Sequence, residues 1–564
     1  VGASRPATLL ALVPPLTLAL FLLPIAAGLV GTWLPAFGLL PSLGGTQPTL
    51  EPWRRLLADP ALPGALSATL ISGFGSAMLA FAVSVGFAAA AHGTWAYRRA
   101  TRLLAPLLAV PHAAVAIGLA FLLAPSGLLL RLVSPWATGF ALPPDLASVQ
   151  DRHGLALALG LAVKETPFLL LMLLGALGQV GAAQRLATAR SLGYGPTVAW
   201  LKTVLPAVYP QLRLPLYAVL AFSLSVIDMA LILGPTAPPT LAVLVFRWFN
   251  DPDLALRFVG TAGATLQLLL VVAGIGLWRL AELAAAALGR RWIAGGYRGG
   301  PGRAGRGLAS GALFGLLGLG AAGILVMALW SLAGRWRWPA ATPQSLSLET
   351  WSRQLEGAAE TGWTTLALGL AAAGLALLLV LGCLENEQRA GRRPTRALWL
   401  LYLPLLVPQV AFLFGTQILA VTAGLDGSFG ALVWSHLLFV LPYVFLALAE
   451  PWRRLDARYA RTARCLGAGP LAVFWRVKLP MLLRPVLFAA AVGFAVSVAQ
   501  YLPTLFAGAG RYATLTTEAV ALAAGGDRRI VGVYAFLQAA LPLLAFGLAV
   551  ALPAWRYRDR RALQ

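Results

Sequence analysis

An active site in this chain would have to be built from few parts. There are only three lysines (Lys164, Lys202, Lys478) and four histidines (His92, His112, His153, His436). A phosphate-binding loop requires Gly-x4-Gly-Lys-Ser/Thr, and none of the lysines follows a glycine. The histidines are too scattered for metal-ligand spacing, and no nucleophile–base pair stands out. The chain is therefore expected not to be an enzyme and to carry no cofactor or metal of its own. What remains are charges inside apolar runs: Lys164, Glu165 and Asp228. A charge at the centre of a bilayer costs roughly 2.5–3.5 kcal/mol on insertion scales, so such groups pair or face a cavity. A structural Lys164–Asp228 or Glu165–Arg257 pair is one reading; a pathway for a charged substrate is the other. His112 and Gln409 each follow a Val-Pro pair, and Gln500 lies inside a late apolar run. They join the candidate pathway, or serve as interhelical hydrogen bonders.

The elements that would position these residues are membrane helices. Of 564 residues 59% are apolar and 11% charged, with a mean hydropathy of +0.79. Soluble domains carry about 25% charged residues. Runs such as 66–91, 360–383 and 535–554 are nearly free of charge and exceed the ~18–20 residues that cross a bilayer as helix. Twelve spans are expected, near 7–34, 66–91, 103–124, 155–178, 214–236, 258–283, 308–332, 360–383, 398–420, 430–449, 485–507 and 530–555. The run 7–34 is too long for a signal-peptide core and reads as the first span.

Charge supplies the orientation. The net charge is +23, and with the N-terminus inside, 29 of the 43 Lys plus Arg fall in the inside segments and 11 outside. The basic excess thus follows the positive-inside rule and does not point to nucleic acid. The expectation is a multi-pass protein of the bacterial inner (cytoplasmic) membrane with both termini cytoplasmic. Cys383 ends a span and Cys465 sits in a basic loop, so they are not read as a disulfide.

The chain also repeats itself. Ala189-Arg190-Ser191-Leu192-Gly193-Tyr194-Gly195-Pro196 recurs as Ala463-Arg464-Cys465-Leu466-Gly467-Ala468-Gly469-Pro470, and Leu205-Pro206 recurs as Leu479-Pro480, all at an offset of 274. Thr69 matches Thr365, Val110-Pro111 with Gly118 matches Val407-Pro408 with Gly415, and Gln267 matches Gln538. The intramembrane charges are not repeated: Phe439, Val440 and Leu502 stand at their places. The order is parallel, giving two six-span units, 1–288 and 308–564, joined by a Gly- and Arg-rich segment, 289–307, read as a flexible basic cytoplasmic linker. Each repeated loop lies on the cytoplasmic side between the fourth and fifth spans. It reads as a short helix, a glycine turn and a second short helix whose proline opens the next span.

This Ala-x3-Gly pattern, with Leu-Pro ending thirteen positions after the glycine, resembles the "EAA" loop of binding-protein-dependent ABC importer permeases. Across both halves the chain is similar to the fused permeases of ferric-iron and thiamine importers and their relatives. The resemblance implies an all-α permease in which Ala189, Arg190, Leu192, Gly193, Gly195, Pro196, Leu205 and Pro206 form one coupling helix region. Ala463, Arg464, Leu466, Gly467, Gly469, Pro470, Leu479 and Pro480 would form the other. It further implies two copies of an ABC ATP-binding subunit, which bind ATP and Mg, and a periplasmic substrate-binding protein. One position departs: the family's glutamate is Ala187 in the first loop and Arg461 in the second, so its ion pair with an ATPase arginine cannot form. The rival reading is an ion-coupled secondary transporter with a parallel six-plus-six repeat, using Glu165 and Asp228.

Overall fold

The computed structural model of the chain describes residues 7–299, 303–391 and 402–558. Its principal helices are α1 (Ala7–Ala36), α2 (Leu62–Ala91), α3 (Trp95–Ala109), α4 (His112–Leu123), α5 (Leu155–Leu177), α6 (Ala182–Ser191), α7 (Leu205–Ser225) and α8 (Leu256–Ala294). They continue with α9 (Arg303–Leu332), α10 (Glu349–Ala390), α11 (Val410–Thr422), α12 (Phe429–Arg454), α13 (Ala457–Cys465), α14 (Leu483–Val498) and α15 (Arg528–Arg556).

Among the described residues ten helices are long and apolar enough to cross a membrane, or eleven if Pro470–Met481 and Leu483–Val498, bent by 79°, count as one. The ninth expected span, 398–420, appears as the short α11, and its beginning falls outside the described residues. Three expected spans are broken rather than continuous. The third breaks at Val110-Pro111, where proline cannot donate the next helical bond and pushes its predecessor to extended backbone. The fifth ends at Ser225 and resumes as Asp228–Leu233; the eleventh ends at Val498 and resumes as Leu502–Gly508.

The repeat is visible in side-chain geometry. Thr69 Oγ1 accepts from Leu241 N at 2.9 Å, and Thr365 Oγ1 accepts from Leu515 N at 2.9 Å. Gln267 Nε2 donates to Leu224 O at 3.0 Å, while Gln538 Nε2 reaches the matching carbonyl of Val498 through Thr516 Oγ1. The glutamine bonds serve carbonyls at the breaks in the fifth and eleventh spans, and the threonine bonds serve the first N–H of helices Leu241–Phe249 and Leu515–Ala523, which lipid cannot do.

The halves exchange their first helices. α1 packs on α11 of the second half, and α9 packs on α4 of the first. Glycines permit both approaches. A Cβ at Gly118 would lie 2.7 Å from the backbone of Gly323, and one at Gly31 would lie 2.9 Å from Gly415 Cα. Thr32 Oγ1 also accepts from Gly415 N at 3.2 Å. Outside the bundle, buried Arg131 clamps the crossing. Its guanidinium donates to Ser126 O, Arg337 O and Ala340 O at 2.9–3.1 Å and lies over Trp330, Trp336 and Trp338.

The segment 289–307 is shorter as a connection than its composition suggests. Helix α8 runs through Ala294 and α9 starts at Arg303. After α8, Arg298 lies against the first repeated loop: Gly195 N donates to Arg298 O at 2.8 Å, and the Arg298 side chain sits beside Gly193.

Candidate functional site: twin loops and a buried polar cluster

The two repeated loops share one turn. Helix α6 ends with Gly193 N donating to Arg190 O at 3.0 Å and Tyr194 N donating to Ala189 O at 3.2 Å. Helix α13 ends with Gly467 N to Arg464 O at 3.0 Å and Ala468 N to Ala463 O at 3.0 Å. This is the Schellman arrangement, which needs a left-handed residue just past the helix cap. Gly193 and Gly467 both have φ +83. Open space surrounds Gly467, and only Arg298 approaches Gly193, so backbone conformation, not crowding, demands glycine. The Ala-x3-Gly spacing thus fixes the two ends of one hydrogen-bonded cap.

After the turn, Pro196 and Pro470 each open a four-residue helical turn that runs into a five-residue π turn, Trp200–Val204 and Phe474–Lys478. Leu205-Pro206 and Leu479-Pro480 follow at the start of the next helices. Ala189 faces inward, while Arg190 and Arg464 are exposed. At the tip of each loop an apolar side chain stands in the open: Leu192 is 60% exposed and Leu466 82%. The second loop adds Leu471 and Trp475, also exposed.

The intramembrane residues separate into two groups. Lys164 pairs with no carboxylate; its Nζ donates to Leu107 O, Leu108 O and Val110 O at 3.2, 3.0 and 2.5 Å. It caps the carbonyls left open where α3 stops, as a cation at a helix C-terminus does. Neither the Lys164–Asp228 pair nor the Glu165–Arg257 pair forms. Glu165 instead meets His112 Nε2 at 3.1 Å, and the His112 ring lies 4.6 Å from Phe222. Asp228 is buried at the start of the helical turn after the fifth-span break. Tyr501, at the break after α14, has its ring 6.3 Å from that of Phe246 in the first half. Gln409 stands at the matching break before α11, and Gln500 is buried beside the break after α14. The structure therefore joins His112 to Glu165, buries Asp228 at the fifth-span break, and sets Lys164 apart as a helix cap.

Sequence reasoning did not single out Tyr501, whose first-half counterpart is Ile227. It also passed over a buried network at the end of α10. Lys478 Nζ donates to Glu385 Oε2 at 2.6 Å and Gln388 Oε1 at 2.7 Å, and Arg389 Nε donates to Glu385 Oε1 at 2.7 Å. The signal was present in the repeat: Glu385 and Lys478 stand where the first half has Ala89 and Val204, a paired change from apolar to ionic.

No protein-family model matches the chain. Over 524 residues it is 37% identical to the inner membrane ABC transporter permease protein YnjC of Escherichia coli (strain K12), an alignment covering 92% of this chain and 93% of that protein. A 167-residue stretch is 33% identical to the molybdenum transport system permease protein ModB of Mycobacterium bovis, and equally to that of Mycobacterium tuberculosis. It covers 27% of this chain and 63% of those proteins.

Proposed function

The chain belongs to the ABC transporter permeases of the inner membrane, and on that premise we propose that it is the transmembrane permease subunit of an ATP-driven importer. Its two units, 1–288 and 308–564, each offer one coupling loop to one of two ATP-binding subunits, which bind ATP and Mg and hydrolyse the nucleotide. A periplasmic binding protein delivers a small solute, and both termini of the chain face the cytoplasm. ATP-driven closure of the partners draws the two loops together, and the halves reorient around the solute by alternating access.

The observation that carries this reading is the pair of matched turns, each holding a leucine out from the same capped geometry. Leu192 and Leu466 would seat in grooves of the partners, so docking rests on shape and apolar burial where Ala187 and Arg461 replace the family's glutamate. The pathway lies between the halves, lined by His112, Glu165 and Asp228 with Gln409 and Gln500 at the matching breaks. The finer likeness to ferric-iron and thiamine importer permeases rests on the loops and the fusion alone.

The test replaces Gly193 and Gly467 with leucine, separately and together. Each change places an L side chain at φ +83, at a cost of about 1–2 kcal/mol to the turn. Loss of ATP-binding-subunit co-purification with normal membrane insertion is expected. Normal association in the double variant refutes the coupling role. The His112–Glu165 contact and Asp228 favour one second reading, proton-coupled secondary transport. Uptake into vesicles containing this chain alone, driven by an ion gradient, would decide for it.

A further inference from the structure

The first loop carries a basic pocket. It encloses about 620 Å³ and is lined by Arg185, Thr188, Leu192, Tyr194, Lys202 and Ile293, among others, and no Asp or Glu lines it. Lys202 is 6% exposed. Its Nζ has no hydrogen-bond partner, and lies 5.3 Å from the Tyr194 ring centre and 4.7 Å from that of Trp292. Aromatic faces attract an ammonium, but they offset only part of what its removal from water costs. The other cation of the pocket, Arg185, spends its Nε on Val180 O at 3.0 Å. At the matching positions of the second loop Arg185 becomes Tyr459, Tyr194 becomes Ala468 and Lys202 becomes Arg476, which is exposed.

We infer that this pocket is a socket for one carboxylate side chain of the ATP-binding subunit, which completes Lys202 when the first loop docks. The pocket opens beside exposed Leu192, the side chain assigned to the partner's groove, so this inference rests on the coupling reading. A buried ammonium without a counter-charge, in a cavity lined by Tyr194 and a second cation, fits a carboxylate and rejects a basic or purely apolar group. With identical ATP-binding subunits at the two loops, the same acidic side chain finds a buried lysine at one and a solvated arginine at the other. The two docking events are therefore unequal in their dependence on salt.

Two variants of the full chain, reconstituted with its ATP-binding subunits, test this. Lys202→Gln removes the charge, and Ile293→Glu, on the partly exposed wall of the pocket, supplies a competing carboxylate in cis. Each is expected to weaken binding of the ATP-binding subunit about tenfold. Melting of Lys202→Gln without partner should stay level or rise, because an unpaired buried charge has been removed; a merely structural lysine would lower it. Zero-length carbodiimide coupling should join Lys202 to an Asp or Glu of the partner. Wild-type affinity in both variants, with no such link, overturns the inference. So does saturable binding of acetate or phosphate to the permease alone that Lys202→Gln abolishes, which would assign the pocket to a free anion. If Gly193→Leu and Gly467→Leu abolish docking while both pocket variants bind normally, only the socket falls. If the glycine variants also dock, the coupling reading itself has failed.

Discussion

Glu385 and Lys478 allow a stability prediction that the repeat itself calibrates. Lys478 is 2% exposed, and its ammonium is held by Glu385 and Gln388. Glu385→Ala leaves that ammonium buried with one neutral acceptor, and breaking a buried pair from one side costs about 3–5 kcal/mol. Lys478→Val is milder, because Glu385 keeps Arg389; losing one charged hydrogen bond costs about 1.5–3 kcal/mol. The double variant Glu385→Ala with Lys478→Val reproduces what the first half already contains, Ala89 beside a buried Val204. It should fall within about 1 kcal/mol of the parent, since well-packed apolar replacements of buried pairs are close to neutral. The four proteins, unfolded by denaturant in one detergent, form a double-mutant cycle with an expected interaction energy of about 3 kcal/mol or more. Additive losses would refute the reasoning and show that the two sites are not structurally equivalent.

Three further predictions concern other parts of the molecule. Gly118→Leu pushes on the backbone of Gly323 and should destabilise the exchanged packing by about 1–3 kcal/mol or more, read as a lower unfolding midpoint; an unchanged midpoint would mean that α9 does not sit on α4. Arg131→Ala removes three carbonyl contacts and the stack on Trp330, Trp336 and Trp338. A loss of about 2–4 kcal/mol is expected, with protease sensitivity appearing in residues 333–348. Asp228→Asn should reduce uptake about tenfold without altering assembly, whereas Lys164→Met should lower stability by about 1–3 kcal/mol and leave the substrate dependence of uptake in place. The reverse pattern would exchange their assigned roles.

Much of this was legible because a bilayer imposes a strong rule on sequence. Apolar length located the helices, and the duplicated Ala-x3-Gly spacing located the turns, since only a left-handed glycine closes that cap. Breaks within spans were less legible. Val110-Pro111 could be noticed, but Ser225-Val226 carries no proline or glycine, and its interruption depends on Gln267 and neighbouring helices satisfying the freed carbonyls. The partners of the intramembrane charges were illegible for a similar reason. A lysine seeking a counter-charge and one capping a helix look alike in sequence; the difference lies in where α3 stops relative to α5. The exchange of first helices left only faint marks, glycines such as Gly118 and Gly415, whose contacts lie in the other half.

That exchange sets a timetable for synthesis. Thr32 and Gly415, which meet at the α1–α11 contact, are 383 residues apart. At ribosomal rates of about 5–20 residues per second, α1 waits in the bilayer for roughly 20–80 s before its glycine-bearing face has anything to close against. During that interval lipid, or an insertion factor, must occupy a surface shaped for another helix. Helix α1 can meet α8 of its own half once that helix is made, but its glycine-bearing face stays open until α11 follows.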